Sequence, residues 1–164
     1  MIYDCKEKVI IKSYFKSHKP IFSEYFPSIL FLTQTDIFLD LVKNVKEQPD
    51  CYIINSSGQV HPFLYGAACD FGLKIKTPVI GYTKKLLFGV LKVYEEKSTI
   101  HGIYSNDLLI GFAIPKPGSK KFYYISIGNN ISLQTALKLF LELDLGVINK
   151  LNTKLNNYII NKTK

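Results

Sequence analysis

The chain has 164 residues, 47% hydrophobic and 21% charged, the balance of a globular domain with a real core rather than of a disordered segment. Its formal net charge of +8 comes wholly from lysine, because the sequence contains no arginine. That balance favours polyanions such as nucleic acid, or follows equally from a lysine-rich composition, and it removes arginine-to-guanine contacts as a means of reading bases. No run approaches the roughly 18 apolar residues of a membrane span, Met1–Asp4 does not read as a secretory leader, and Cys5, Cys51 and Cys69 form neither a CxxC pair nor a metal spacing. The expectation is a single intracellular, cytoplasmic domain over residues 1–164, with reduced thiols and no membrane partner.

In chain order, residues Lys8–Tyr14 read as a strand rich in β-branched side chains, broken by His18-Lys19-Pro20, and Ile21–Tyr25 as a short strand ending at Phe26-Pro27. Thr35–Val45 reads as a helix: Ile37, Phe38, Leu41, Val42 and Val45 recur at helical spacing, Thr33 or Thr35 can cap it, and Asp36 lies near the positive end of its dipole. Cys51–Ile54 is a short apolar strand that ends in the polar loop Asn55-Ser56-Ser57-Gly58. His61-Pro62 opens a helical segment with Leu64, Ala68, Phe71 and Leu73 on its apolar positions. The small residues Gly66, Ala67 and Ala68 would let it lie close to a sheet. Thr77–Gly81 is a second buried strand, with Lys84-Lys85 beyond its carboxyl end. Strand, helix, strand implies parallel pairing, and sites in such sheets lie beyond the carboxyl ends of the strands. Asn55, Gly58, His61 and Lys84 therefore share one edge.

Leu91–Tyr94 follows as a strand. Ile100–Tyr104 and Leu108–Ile114 then flank the hairpin signal Ser105-Asn106-Asp107. After a turn at Lys116–Lys120 comes the strand Lys121–Ile127, then a loop at Gly128-Asn129-Asn130. Ser132 caps a helix over Leu133–Leu143 whose buried stripe is Ala136, Leu137, Phe140 and Leu141. Val147, Ile148, Leu151, Leu155 and Ile159 mark a final amphipathic helix, and Cys51 and Cys69 are expected as small core residues. The class is α/β, an antiparallel β excursion attached to a βαβ core.

Four ordered blocks in this chain resemble the endonuclease V family. Tyr25-Phe26-Pro27-Ser28-Ile29-Leu30 is similar to the family's PYIPGLL segment. Gly58-Gln59-Val60-His61-Pro62, with Gly66, Ala68 and Gly72, is similar to DGQGxxHPRxxGxAxHxG. Pro78-Val79-Ile80-Gly81 with Lys84 is similar to PTIGVAK, and Ile125–Ser132 to the VSPGH segment. The resemblance implies a ribonuclease-H-like fold, a central mixed sheet flanked by helices. It also implies Mg²⁺-dependent phosphodiester hydrolysis at the second bond 3′ of hypoxanthine in DNA or RNA. It makes Tyr25, Phe26 and Pro27 a wedge between strands of nucleic acid, where an aromatic pair stiffened by proline suits stacking; cover for the core is the other reading.

The departures from the family pattern concern its charges. The positions matching two of its three metal-binding carboxylates are Gln34 and Asn55, both amides, which can offer an oxygen but no negative charge. Phe63 stands where the family has the arginine after His-Pro, and Asp70 where it has a second histidine. The family's first strand, with its aspartate, has no clear match among the roughly 24 residues before Tyr25. Met1–Cys5 fills its slot, the remaining strands close up, or another chain donates a strand. Asp4, Asp70 and Asp36 are the candidate replacement carboxylates; for Asp4 and Asp36 the competing readings are an exposed chain end and a helix N-terminal charge.

Losing two unit charges from such a site costs several decades in rate. The expected function is therefore an endonuclease V-like nucleic-acid-binding protein, impaired in cleavage and needing no cofactor. It keeps Gln34, Asn55, His61 and Lys84 at the matched site positions, and a binding surface from Tyr25, Phe26, Pro27, Leu30, Gly58, Gly66 and Lys84. Lys84 contacts phosphate or is simply solvated, and His61 holds the loop through its ring nitrogens. Gly58 and Gly66 admit a flipped base, or satisfy a turn and a helix contact. One alternative is an active Mg²⁺ enzyme with a rebuilt carboxylate site. The other is a non-catalytic subunit, as a homodimer or paired with an intact homologue.

Overall fold

The structure is a computed structural model and describes residues 1–17, 31–95, 98–144 and 146–162. Its elements are β1 (Ile2–Asp4), β2 (Val9–Lys12), α1 (Phe31–Val42), β3 (Tyr52–Ile54), α2 (Ala67–Ile75) and β4 (Val79–Thr83), then β5 (Val90–Val93), β6 (His101–Ser105), β7 (Leu108–Pro115), β8 (Phe122–Asn129), α3 (Leu133–Glu142) and α4 (Gly146–Lys162). A six-stranded sheet runs in the order β3-β4-β8-β7-β6-β5. Only β3 and β4 pair in parallel, joined by α2, and every other neighbour is antiparallel. The mixed sheet flanked by helices is the arrangement expected for the class.

Strand periodicity sends alternate residues of β4 to different cores. Ile80 and Tyr82 join Phe112, Tyr123, Ile125 and Phe140 on the face covered by α3 and the start of α4. Val79 joins Ala68 and Phe71 on the opposite face, with Phe38, Leu39 and Val42 of α1 outside them. Phe140 is fully buried and meets Tyr82 and Tyr123 at ring distances of 6.1 and 6.0 Å. Truncating such a side chain to alanine costs about 3–5 kcal/mol. Ser132 caps α3 as expected: it is extended (ψ 155°) and its Oγ accepts the Thr135 N–H at 3.1 Å.

Several expectations are corrected. The helix α1 begins at Phe31, so Thr35 is an interior residue, 1% exposed, rather than a cap, and Asp36 lies in the second turn rather than at the dipole's positive end. The helix after His61 starts only at Ala67, because residues 61–64 form a turn, and Leu73 faces solvent at 57% exposure. Leu141, Leu155 and Ile159 are also about half exposed. Gly128 and Asn129 belong to β8 rather than to a loop. Cys69 is buried as expected, while Cys51 is only half-buried. Ile2–Asp4 is a strand, yet it does not enter the large sheet: it pairs antiparallel with β2 in a separate two-stranded sheet. Among the described residues β3 is thus the last strand on its side. No described helix is long and apolar enough to cross a membrane.

Candidate functional site

The loop after β3 turns back over the sheet, and backbone contacts hold it there. Ser56 donates its N–H to Ile54 O at 2.8 Å, and Gln59 donates to Ile127 O on β8 at 3.0 Å. The Gly58 N–H goes to the Oγ of Ser126, a side chain 1% exposed on the α2 face of β8, at 3.1 Å. Ser57 O accepts from Ala68 N at 3.0 Å and ties the loop to the first turn of α2. There is no room for a side chain in this arrangement. A Cβ on Gly58 would lie 2.1 Å from Ile127 O, one on Gly81 2.4 Å from Gly58 N, and one on Gly66 2.3 Å from Ser57 O. At Gly58 and Gly66 the close approach is therefore to the protein's own backbone.

The two matched amides lie beside this loop. Gln34, in the first half of α1, accepts a hydrogen bond at Oε1 from Ser56 Oγ at 3.1 Å, and Asn55 is exposed next to Ser56. Asp70 of α2 faces the same seam and is fully engaged. Tyr65 donates its hydroxyl to Oδ1 at 2.9 Å, and Lys74 lies 3.0 Å from Oδ2. Partial burial works to raise the Asp70 pKa, but hydrogen bonds from Thr35, Lys74 and Tyr65, with the lysine's charge, outweigh it and hold the carboxyl below its ordinary range. Burial, and then the Asp70 carboxylate, push the Tyr65 phenol up to about 12. Lys74 also reaches Asp36 at 3.7 Å, so its ammonium stands between the two carboxylates. Asp4 is elsewhere: its Oδ1 accepts from the Lys6 and Glu7 N–H groups at 2.8 and 2.9 Å and shapes the β1–β2 turn.

These residues do not fit a divalent cation. Mg²⁺ calls for one or two carboxylates turned to it, and here the seam offers amide oxygens and two carboxylates, Asp36 and Asp70, that are both turned to Lys74. Among the described residues no three His, Cys, Asp or Glu side chains are grouped to hold a metal ion. Of the candidate carboxylates, Asp4 is bound up in the β1–β2 turn, and Asp36 and Asp70 share Lys74.

His61 is 2% exposed, with its N–H on Gln59 O at 2.7 Å and its Nδ1 accepting from Phe63 N at 3.3 Å. Lys84 and Lys85 are exposed just past the carboxyl end of β4. The register Ile54↔Gly81 sets Asn55 level with Tyr82, so Asn55 and Lys84 occupy the same end of neighbouring strands. Tyr25, Phe26, Pro27 and Leu30 lie outside the described residues. Sequence reasoning missed Ser126, Ser56 and Asn129. A lone serine in the apolar run Phe122–Ile127 was the available signal for the first. Asn129 donates from Nδ2 to Gly72 O at 3.0 Å, and Asn130 to Lys76 O at 2.8 Å, closing the C-terminal end of α2.

Comparison with known proteins agrees with this architecture. A family model described as Endonuclease V matches residues 1–147. Endonuclease V of Thermofilum pendens is 33% identical over 113 residues, 69% of this chain and 48% of that protein. The Thermosipho melanesiensis protein is 35% identical over 136 residues, 82% of this chain and 59% of its own length. The chain spans about half the length of the curated relatives it matches. The structure of Bacillus subtilis endonuclease V superposes with a TM-score of 0.71 at 18% identity, over 90% of this chain and 65% of that one. Human endonuclease V gives 0.71 at 19% identity, over 87% and 69%. The Ciona intestinalis enzyme, in complex with a DNA containing an inosine followed by a ribo-adenosine, gives 0.60 at 24% identity, over 71% and 57%. The structural likenesses establish the shared fold, and with the family model matching residues 1–147 the chain belongs to the endonuclease V family.

Proposed function

We propose that this chain binds nucleic acid as its relatives do but has lost, or greatly weakened, their metal-dependent cleavage. The observation that carries the reading is the charge of the seam. Gln34 and Asn55 bring none, and the neighbouring carboxylates of Asp70 and Asp36 are both drawn to Lys74, at 3.0 and 3.7 Å. Transition states of phosphodiester hydrolysis gather negative charge, and among the described residues no three His, Cys, Asp or Glu side chains are grouped to organise a cation that would meet it. Binding is supported by the net charge of +8, by Lys84 and Lys85 at the carboxyl end of β4, and by the Ciona relative held on inosine-containing DNA.

The test is cleavage of end-labelled inosine-containing DNA and RNA over a series of Mg²⁺ and Mn²⁺ concentrations. The wild-type chain is expected near background. The double variant Gln34→Glu, Asn55→Asp restores charge to the matched positions and is expected to gain metal-dependent cleavage. Chelator-sensitive scission by the wild type, abolished by Asp70→Asn, would sink the proposal and establish a rebuilt site.

A further inference from the structure

We infer that Phe63 is a stacking platform for an unpaired nucleobase, flanked by Lys84 and Lys85 for the adjoining phosphates; the inference rests on the nucleic-acid reading above and names the contact that makes it selective for single strands. Phe63 is the most exposed large apolar side chain among the described residues, at 67%. A single exposed apolar side chain is common on a protein surface; what singles out Phe63 is its place beside the exposed Lys84 and Lys85 at the end of the sheet that carries the candidate site.

The turn that carries the ring is tied down. The Phe63 backbone N–H is fixed to Nδ1 of the buried His61 at 3.3 Å, and the two rings lie 5.6 Å apart at 44°. Leu64, which follows, takes a left-handed conformation (φ 50°) and donates its N–H to His61 O at 2.8 Å, closing a tight turn. The Leu64 side chain packs into a core cluster that also receives Leu86 and Phe88. The Phe63 turn and the segment carrying Lys84 and Lys85 therefore rest on one support, with aromatic and cationic groups on neighbouring loops at one end of the sheet.

The partner follows from chemistry. Base–aromatic stacking with lysine–phosphate contacts is the usual composition of single-strand sites. Without arginine the chain has no guanidinium plane to stack on a base, so an exposed ring must supply that contact. A duplex hides its base faces and would meet only the lysines.

The chain contains no tryptophan, so Phe63→Trp introduces a unique fluorescent reporter at the site. Full-length wild type, Phe63→Ala and Phe63→Trp are titrated with a labelled single-stranded DNA of about 15 nucleotides and with the matching duplex. Phe63→Ala is expected to weaken single-strand binding about 5- to 100-fold and duplex binding less than about 3-fold. Phe63→Trp is expected to retain binding, with its emission quenched as single strand saturates it. Wild-type binding that Phe63→Ala leaves unchanged, or that it lowers equally for both forms, overturns the platform and leaves the nucleic-acid reading standing. So does saturation without quenching. A wild type that binds neither form removes both.

Discussion

Two neighbouring regions of the site are built by opposite means. The loop of residues 55–58 is held by backbone hydrogen bonds and by glycines that leave no room for a Cβ, so its shape is fixed by volume. The seam between α1 and α2 is held by side chains, Gln34 on Ser56 and Asp70 among Thr35, Tyr65 and Lys74, so its content is fixed by charge. Volume is an all-or-none constraint in a close-packed interior, whereas charge at a half-exposed seam can be exchanged at modest cost. A scaffold held by volume can therefore keep its shape while the side chains of the seam beside it change.

Substitutions on the two sides should separate these behaviours. The largest effect is expected from Gly58→Ala, which forces a methyl toward Ile127 O and displaces the loop. A loss of about 3 kcal/mol is expected, seen as a melting temperature lower by roughly 6–12 °C. Ser126→Ala comes next: it strands the buried Gly58 N–H and should cost about 2 kcal/mol in denaturant titration. Asp70→Asn should cost about 1 kcal/mol, and its pH dependence carries the sign. The Asp70 carboxyl is depressed in the folded chain. Its stabilisation is therefore present above the ordinary carboxylate range and lost as pH falls through that range to the folded value; the variant should flatten that stretch of the stability–pH curve. The smallest effect is expected from Asn55→Asp at an exposed position, within about 0.5 kcal/mol of wild type by thermal melting. A large penalty there, or a negligible one at Gly58, would reverse the assignment of the two regions.

The features legible in the sequence were those that local chemistry determines. The apolar runs either side of Asn55–Gly58 gave the parallel β3–α2–β4 unit, Ser132 gave a helix start, and Ser105-Asn106-Asp107 gave a hairpin. What was misread depends on tertiary neighbours. Thr35 resembles a cap in sequence, but α1 begins four residues earlier and buries it beside Asp70. Gly128 and Asn129 resemble a loop, yet they continue β8 because Gly128 packs on the backbone of Ala68 and Asn129 reaches Gly72 O. Leu73 fits an apolar stripe and still faces solvent, since α2 is covered by the sheet on one side and α1 on another. At the site, the amides at positions 34 and 55 were visible directly, whereas the ammonium of Lys74 between Asp36 and Asp70 required the packing of two helices.

β8 lies between β4 and β7, and both α2 and α3 pack on it. Its partner β7 is a short hairpin away, but its partner β4 is separated from it by the whole meander of β5, β6 and β7. Local pairings close quickly and distant ones slowly. The meander should thus assemble first and present β8 as a template on which the parallel pair later docks. Pulsed hydrogen exchange during refolding would then protect Ile110–Ala113 amides before those of Ile53 and Ile80, making the strand pair that carries the site the last part of the molecule to acquire its shape.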